Sequence, residues 1–399
     1  MPSTPFDEVI ERRGTDSFKW DYTKQMLGAS DVIPLWVADM DFRAPQPVLD
    51  ALHQRVEHGI FGYTGRGDSY HQAIQDWLQQ RHGWPVEKDW IAHMPGVVAS
   101  LRLAVDAFTE PDERVIVQPP VYYPFFRVVE NSGRRIVENP LHYDGHRYVM
   151  DFTDLESKLQ QGAAMLILCS PHNPVGRVWT RSELQQLSSL CSQYGTLLVS
   201  DEIWADLVLP GHTHHCVANL DQESAENTIT CIAPSKTFNL AGLTTSCVII
   251  PDPKKAEHFK KEASAQEYGL GNVLGMTAQE AAYRHGGPWL DQLIGYLAET
   301  KDWVKDYLTP LHPQLHWIEP EATYLLWLNL NYLQASTAEM RDAFYHQTRA
   351  GVHMGSKFGD QGSGFVRVNI AAPRQIIREG AGEIHKALTI LENRLDDKQ

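Results

Sequence analysis

The sequence predicts an α/β fold in which helices cover both faces of a mainly parallel sheet, and two observations lead to that prediction. First, short apolar runs without polar alternation recur along the chain, as expected for strands buried on both faces. The runs are RVIVQ (114–118), AMLILCS (164–170), TLLVSDE (196–202), NTITCIA (227–233) and TSCVIIP (245–251). Second, segments of helical periodicity separate these runs, and such alternation is typical of right-handed crossovers between parallel strands.

One of these separating segments, TRSELQQLSSLCSQYG (180–195), predicts a helix with recognisable ends. Thr180 and Glu183 have the spacing of a capping box, and Gly195 follows as a terminator. Because this segment lies between AMLILCS and TLLVSDE, it indicates one complete crossover between two parallel strands.

The length of 399 residues exceeds what a single hydrophobic core usually supports, so we expect the chain to divide. After Pro288 the pattern changes to a long helical stretch, two strand-like segments (322–330 and 364–371) and a helix between them near 336–351. We therefore predict a large domain over 50–287 and a smaller α+β domain over 288–399. Residues 1–49 lack a core of their own and are expected to pack on the smaller domain.

Composition argues against several kinds of partner and location. The net charge of −15 opposes binding to nucleic acid or to an anionic membrane surface. No apolar run approaches the roughly 20 residues of a membrane-spanning helix, and the N-terminus MPSTPFDEVIERRG lacks the apolar region of a signal peptide. The five cysteines are scattered without a C-x-x-C pair. These features predict a cytoplasmic protein with buried free thiols.

Polar residues follow three of the apolar runs, at the strand ends where ligands gather in open α/β sheets. Asn173 follows LILCS in the turn PHNPVGR, Asp201 follows LLVS, and Ser235 and Lys236 follow TITCIA. Because parallel strands end at the same edge of a sheet, these side chains are expected to lie close together. The predicted edge therefore carries an amide, a carboxylate, a hydroxyl and a lysine.

A phosphate site is predicted beside them. The segment IAHMPGVVASLRLAVDAF (91–108) reads as a turn at Pro95-Gly96 that opens a helix, and the free N–H groups at a helix start bind anions. The groups in question belong to Gly96, Val97 and Val98.

This set of groups matches the needs of pyridoxal phosphate (PLP). A lysine bonds covalently to the cofactor aldehyde, and a carboxylate keeps the pyridine nitrogen protonated so that the ring accepts electrons. An amide hydrogen-bonds the ring oxygen, and an aromatic side chain stacks on the ring face. Tyr122, in QPPVYYPFF after the VIVQ strand, is placed for that stacking.

Structural alternatives stand beside these assignments. Lys236 could be an exposed lysine after a strand, and Asp201 could cap a helix that begins at Glu202. Asn173 could be only a turn residue before proline. On an extended backbone Tyr122 and its neighbour Tyr123 would point to opposite sides, so one of them is expected to pack away from the cofactor.

Two further motifs are assigned no function. GHTHHC (211–216) has the composition of a metal site, but it lacks helical histidine spacing and a second Cys/His pair, so a solvated loop is expected. The adhesion-like tripeptide Arg66-Gly67-Asp68 is interpreted as a coincidence, because it lies in a loop expected near the cofactor.

An ordered set of motifs resembles those of fold-type I PLP enzymes of the class I/II aminotransferase superfamily. The resemblance is strongest to the cystathionine β-lyase-like C–S lyases, a group that includes the maltose-regulon-modulating lyase. The motifs are PLWVADMDF (34–42), FGYTGRGDSY (61–70), PPVYYPF (119–125), SPHNPVGRVWT (170–180), SDEIWADL (200–207), SKTFNLAGL (235–243) and FVRVNIA (365–371). They span nearly the whole chain, and the fold they imply is a large domain with a seven-stranded, mainly parallel sheet between helices.

The resemblance implies roles for the candidate residues. Lys236 bonds to the cofactor and acts as general base, Asp201 pairs with the pyridine nitrogen, and Asn173 bonds the ring oxygen. Tyr122 stacks on the ring and contacts substrate. Ser235 joins the amides of Gly96, Val97 and Val98 at the phosphate.

The resemblance also implies a homodimer with shared active sites, because Tyr63 would reach the phosphate of the neighbouring subunit. Arg367, in the strand FVRVN, would bind the substrate α-carboxylate through two hydrogen bonds. Two alternatives remain for that role: Arg367 could be a surface arginine, and Arg374 is a rival.

Two positions depart from the family pattern. Three residues after Asp201 the aminotransferases usually have tyrosine and the C–S lyases commonly histidine, but this chain has Trp204, which is still expected to contact the cofactor. Eight residues after Lys236, where aspartate-type aminotransferases have a phosphate-binding arginine, this chain has Thr244.

The expected function is that of a PLP-dependent carbon–sulfur β-lyase. Such an enzyme eliminates a thiol from L-cystathionine or a related S-substituted cysteine and gives pyruvate and ammonia. The same residues serve transamination, so a class I/II aminotransferase is the alternative enzyme. A third hypothesis is a regulator that binds a transcription activator independently of catalysis. We expect no nucleic-acid, membrane or metal partner.

Overall fold

Strands and helices alternate along most of the chain, as the sequence patterns predict, in the computed structural model, which describes residues 4–397. The strands are β1 (Ile33–Pro34), β2 (Ile91–Met94), β3 (Arg114–Val117), β4 (Arg135–Glu138), β5 (His142–Tyr143), β6 (Tyr148–Val149), β7 (Met165–Cys169), β8 (Leu197–Asp201), β9 (Thr228–Ile232), β10 (Ser246–Ile249), β11 (His316–Trp317), β12 (Leu325–Asn329), β13 (Ala350–Gly351), β14 (His353–Met354) and β15 (Phe365–Asn369). The α-helices are α1 (Phe18–Asp21), α2 (Thr23–Leu27), α3 (Gln46–His58), α4 (Asp68–His82), α5 (Val97–Phe108), α6 (Pro124–Asn131), α7 (Phe152–Gln160), α8 (Arg181–Gln193), α9 (Gln222–Asn227), α10 (Pro234–Thr237), α11 (Pro253–Ala265), α12 (Val273–His285), α13 (Gly287–Leu311), α14 (Thr337–Arg341) and α15 (Arg374–Asp396).

A seven-stranded sheet in the order β2-β10-β9-β8-β7-β3-β4 forms the centre of the fold. β10 pairs antiparallel with β2 and β9, and the remaining neighbours pair in parallel. Every residue of β7, β8 and β9 is buried, because helices cover both faces of the sheet. The predicted α/β fold with a mainly parallel sheet is therefore confirmed.

Local signals fix the connections that set the site. In α8 the Thr180 hydroxyl accepts from the Glu183 N–H at 3.2 Å, and the Glu183 carboxylate accepts from the Thr180 N–H at 2.7 Å. This capping box starts the crossover from β7 to β8, and Gly195, with φ of +66°, follows the helix. The parallel register then places Cys169, at the end of β7, opposite Asp201, at the end of β8.

The C-terminal part builds a separate antiparallel sheet in the order β11-β12-β15-β14. The helix predicted near 336–351 is α14 followed by a π-helix, Asp342–Gln347. The N-terminal segment reaches this part of the chain, since Ile33 of β1 pairs in parallel with Ala350 of β13. The boundaries at 49/50 and 287/288 remain a prediction.

All five cysteines are free and buried, as predicted. Within residues 4–397, no helix is both long and apolar enough to cross a membrane.

Candidate active site

A cavity of about 310 Å³ lies where β7, β8 and β9 end and α5 begins. Most of the predicted site residues line it: Gly96, Val97, Val98, Tyr122, Asn173, Asp201, Trp204, Ser235, Lys236 and Arg367. Tyr63 does not, because it lies between α3 and α4 with 96% of its surface exposed. The sheet edge thus brings together residues that are far apart in sequence.

Lys236 lies in α10, directly after β9, with its side chain at the cavity. Its Nζ donates to the backbone carbonyl of Ala38 at 2.6 Å and lies 5.6 Å from the centre of the Trp204 ring. No carboxylate within residues 4–397 forms an ion pair with it. Removal from water lowers its pKa to about 8, because the charged form loses solvation. The amine can therefore exchange a proton near neutral pH.

Asp201 ends β8 and is 3% exposed. Its Oδ1 accepts from the Ile203 N–H at 3.1 Å, and burial raises the pKa of the carboxyl to about 7. The interpretation of Asp201 as the cap of a helix beginning at Glu202 is wrong, because turns follow the strand there. A carboxyl in this state favours a protonated nitrogen as its neighbour, since such a group restores the carboxylate.

Arg367 lies in β15 and is 2% exposed, so the alternative of a surface arginine is wrong. Its Nη1 donates to Asn173 Oδ1 at 3.0 Å, and its Nη2 donates to the Trp36 carbonyl at 2.8 Å and to His353 Nδ1 at 2.9 Å. Its Nε is buried without a partner in the described residues. Burial lowers the pKa of the guanidinium to about 10, which leaves it charged at neutral pH.

The rival Arg374 is engaged elsewhere. Its guanidinium lies 2.6 Å from Glu299 and 3.5 Å from Asp7, and it does not line the cavity. Arg367, by contrast, has no carboxylate at ion-pair distance anywhere in the described chain. An unneutralised guanidinium in a cavity is suited to bind an anionic ligand.

Asn173 is more than a turn residue, because it is 3% exposed and its Oδ1 is held by Arg367. The expectation that only one of Tyr122 and Tyr123 faces the site is wrong. Tyr123 has helical dihedral angles at the start of α6, so the backbone is not extended. Both rings line the cavity with their centres 5.3 Å apart.

The start of α5 also lines the cavity. Gly96 is its N-cap residue, and the first N–H groups of a helix have no intrahelical acceptor. Ser235 and Thr244 also line the cavity, so two hydroxyls are available there beside the helix start. This end is open, since Val98 is 39% exposed. Its donors suit a phosphate.

The expected solvated loop at 211–216 is wrong for two of its residues, because His214 and Cys216 are buried. They lie with Glu202 in a group whose ligand atoms are within 4.8 Å of one another. Glu202 Oε2 accepts from His214 Nε2 at 2.9 Å, and Oε1 accepts from the Val217 N–H at 3.1 Å. Since both oxygens are occupied, we assign this group to anchoring the chain behind β8.

Sequence patterns missed several groups at the cavity. Trp36, Ala38 and His353 line it, and the Tyr324 hydroxyl donates to the Ala38 carbonyl at 3.0 Å. The Ala38 and Trp36 carbonyls belong to an irregular segment, and a backbone acceptor leaves no signal in residue type. The repeated small and apolar residues of PLWVADMDF carry no chemical pattern that would reveal them.

The fold and this arrangement of lysine, carboxylate, amide and helix start define a fold-type I enzyme of the aminotransferase kind. The chain belongs to the aminotransferase class I and II family, whose model matches residues 30–384.

Named relatives cover the whole fold. Cystathionine beta-lyase PatB of Bacillus subtilis is 45% identical over 96% of this chain and 100% of its own length. Protein MalY of Escherichia coli is 30% identical over 96% of this chain and 98% of its own. The crystal structure of cystalysin from Treponema denticola, which contains a pyridoxal 5'-phosphate cofactor, has a TM-score of 0.93 and 38% identity, covering 97% of this chain and 99% of that one.

Proposed function

We propose that this protein is a PLP-dependent carbon–sulfur β-lyase that releases a thiol, pyruvate and ammonia from L-cystathionine or a related S-substituted cysteine. The observation that carries the proposal is the pair of cations at one cavity, Lys236 and Arg367, neither of which has a carboxylate partner within residues 4–397. The name of the relative PatB, a cystathionine beta-lyase, supports the choice of reaction.

The residues present fit PLP. The start of α5 with Ser235 would hold the phosphate, and Asp201 would face the pyridine nitrogen. Asn173 would donate from Nδ2 to the ring oxygen, because its Oδ1 is already held by Arg367. Lys236 would bond to the aldehyde, and Tyr122 would lie against the ring. When bound, PLP supplies an acceptor for the electron pair left on the substrate Cα.

The chain's own groups then account for the elimination. Arg367 binds the substrate α-carboxylate and so fixes which bonds at Cα face Lys236. Once the substrate amine had replaced Lys236 at the aldehyde, the neutral Lys236 amine would take the Cα proton, and the resulting ammonium would donate to the Ala38 carbonyl. The Cβ–S bond breaks with its electron pair leaving on sulfur, which takes up a proton to give the thiol. Water then converts the remaining three-carbon fragment to pyruvate and ammonia.

A homodimer with shared sites is part of the proposal. Tyr63 is 96% exposed and is flanked by Ile60 and Phe61, which are 65% and 53% exposed. The phosphate end of the cavity is open, so a second copy can supply Tyr63 there. Mixing Tyr63→Ala and Lys236→Ala subunits tests this, because one site of each mixed dimer retains both residues and activity should reappear. A mixture as inactive as its parts would contradict it.

We also propose a cytoplasmic location, which the free thiols of all five cysteines support.

The test of the reaction is pyruvate release from L-cystathionine by the PLP-loaded protein with no keto acid added. Sustained release over many turnovers is expected of a β-lyase. An aminotransferase would release no pyruvate, because transamination leaves the Cβ–S bond of L-cystathionine intact and stops after about one turnover per site without a keto acid to restore the cofactor. That outcome would move the assignment to the aminotransferases. Regulation of transcription that survives Lys236→Ala would favour the regulatory hypothesis.

A further inference from the structure

The residues from Leu35 to Met40, which we name the carbonyl segment, have no regular secondary structure, and Trp36, Val37 and Ala38 of this segment line the cavity. Irregular backbone near a buried site must find other donors for its carbonyls. Each carbonyl of this segment has one: Leu35 from the Asn369 N–H, Trp36 from Arg367, Val37 and Asp39 from the Asn369 side chain, Ala38 from Lys236 and Tyr324, and Met40 from Arg12 and Asn239. Both cations of the cavity are thus bound to one segment.

Asn369 makes more of these bonds than any other described side chain. It is 1% exposed and lies at the end of β15, two residues after Arg367. Its Nδ2 donates to the carbonyls of Val37 at 2.6 Å and Asp39 at 2.7 Å, and its Oδ1 accepts from the Ala371 N–H at 2.7 Å. All the polar capacity of its amide group is directed at backbone.

The two carbonyls held by Asn369 flank that of Ala38. With both of them fixed on Asn369, the Ala38 carbonyl points to Lys236 Nζ at 2.6 Å and to the Tyr324 hydroxyl at 3.0 Å. Asn369 does not line the cavity, so it acts on Lys236 only through this backbone.

We propose that Asn369 is a positioning residue that aims the Ala38 carbonyl at the Lys236 amine and thereby sets how readily that amine gains and loses a proton. The proposal rests on the proposed function in so far as Lys236 is the reacting amine.

An ammonium donates a stronger hydrogen bond than a neutral amine, so a well-placed carbonyl favours the protonated form and raises the pKa of the lysine. At Lys236 this effect opposes the lowering caused by burial. The other charged groups that act on this lysine are Asp39, Asp201 and Arg367. The Asn369 side chain holds Asp39 only by its backbone carbonyl and has no hydrogen bond to the charged groups of these three residues, so its removal acts through the backbone of the carbonyl segment.

The variant Asn369→Ala tests the proposal through two measurements on the full-length protein. The first is the rate at which the cofactor-free protein recombines with PLP, followed against pH, because only the neutral Lys236 amine attacks the aldehyde. We expect its pH midpoint to fall by about half a unit or more. The second is steady-state pyruvate release, where we expect kcat to fall about tenfold and KM to change less than about twofold. KM is spared because Arg367 keeps its own bond to Trp36.

Asn139→Ala is the matched control. Asn139 is also fully buried, and its Nδ2 also donates to two oxygens, the Asp151 carbonyl at 3.0 Å and Asp154 Oδ2 at 2.8 Å, away from the cavity. We expect it to lower the thermal midpoint while leaving the recombination profile and kcat unchanged. Equal changes in both variants would overturn the proposal, because they would show a general loss of stability.

Asn369→Asp serves if the alanine variant does not fold. Its carboxyl keeps the volume and, facing two carbonyls, must stay protonated, which leaves one donor in place of two. We expect its kcat to lie between those of Asn369→Ala and the unchanged protein, or below the unchanged protein if it is tested alone. An unchanged kcat and recombination midpoint in a folded variant at position 369 would reject the positioning role. Recombination with PLP requires no lyase activity, so a shifted midpoint without pyruvate release would reject only the proposed reaction.

Discussion

Two lysines and two arginines can be compared within residues 4–397: Lys19, Arg177 and Arg367 are buried, and Lys236 lies half-buried at the cavity. In each pair one cation has a carboxylate partner and the other has none. Lys19 is fully buried with its Nζ 2.8 Å from Asp41, whereas Lys236 meets only the Ala38 carbonyl and the face of Trp204. Within the fold, Lys19 is therefore neutralised by a carboxylate, whereas Lys236 remains available for a ligand.

The arginines repeat the division. Arg177, whose side chain is 2% exposed, lies 3.0 Å from Glu183 and 2.9 Å from Glu321. Arg367 is as deeply buried, but its partners are the neutral groups of Asn173, Trp36 and His353. A buried charge without an opposite charge is costly unless something else uses it. Lys236 and Arg367 therefore identify the ligand-binding site, whereas Lys19 and Arg177 stabilise the fold around it.

The largest effect is expected at Lys236. Lys236→Met should reduce pyruvate release by about a thousandfold or more, because both the covalent link and the general base are lost. The free energy of unfolding of the cofactor-free protein should stay the same or rise, since no ion pair is broken. Denaturant titration beside the pyruvate assay measures both. A large loss of stability would show that Lys236 stabilises the fold, as Lys19 and Arg177 do.

Lys19→Met should lower the stability of the protein, in contrast to Lys236→Met, which should lower its activity. It leaves Asp41, whose side chain is 2% exposed, with one cation fewer. We expect the free energy of unfolding to fall by about 3 kcal/mol, as when one partner of a buried pair is removed. Urea titration of the cofactor-free protein gives this value. A variant as stable as the unchanged protein would show that Arg12 alone satisfies the carboxylate.

At Asp201, the contribution of a buried site residue to stability can be measured as a function of pH. Its pKa is raised by burial from 3.8 to about 7, so its protonated form stabilises the cofactor-free protein. That stabilisation is complete below about pH 4 and is lost as pH rises through about 7. Asp201→Asn cannot ionise, so its melting temperature relative to the unchanged protein should increase over this range. If the difference in melting temperature between the two proteins were the same at every pH, the raised pKa of Asp201 would be excluded.

The smallest effect is expected at Trp204. The ring lies 5.6 Å from Lys236 Nζ and packs edge-on against Tyr324 at 4.8 Å. Trp204→Phe keeps a ring face for the ammonium at slightly weaker attraction, so kcat should fall less than about tenfold. Steady-state kinetics decides this. A loss of a thousandfold would mean that the indole N–H takes part in the chemistry.

Sequence patterns predicted the part of the site that lies at strand ends. Asn173, Asp201 and Lys236 each follow an apolar run, and the edge of a parallel sheet gathers such residues whatever their separation. The capping box of α8 was equally readable, because its two residues lie in one turn. These are local signals, and their consequences for the fold follow from general topology.

The contacts that hold the reactive groups were not readable. The Ala38 carbonyl lies 198 positions from Lys236 in sequence, and Asn369 acts through backbone oxygens that any residue carries. The burial of His214 and Cys216 was not predicted either, because the sequence of a polar loop does not show that His214 hydrogen-bonds to Glu202. The role of Tyr63 remains a prediction, since it depends on a second copy of the chain.

The most direct test of this account compares Arg367→Gln with Arg177→Gln in one pair of assays, KM for L-cystathionine and free energy of unfolding. Arg367→Gln is predicted to raise KM by about a hundredfold and to lower stability by less than Arg177→Gln does, because inside the protein it removes hydrogen bonds to neutral groups but no ion pair. Arg177→Gln is predicted to lower the free energy of unfolding by about 3 kcal/mol, because it breaks a buried ion pair. It is predicted to leave KM unchanged, because Arg177 does not line the cavity. If both variants lost stability equally and neither changed KM, the unpaired cations would not mark the site.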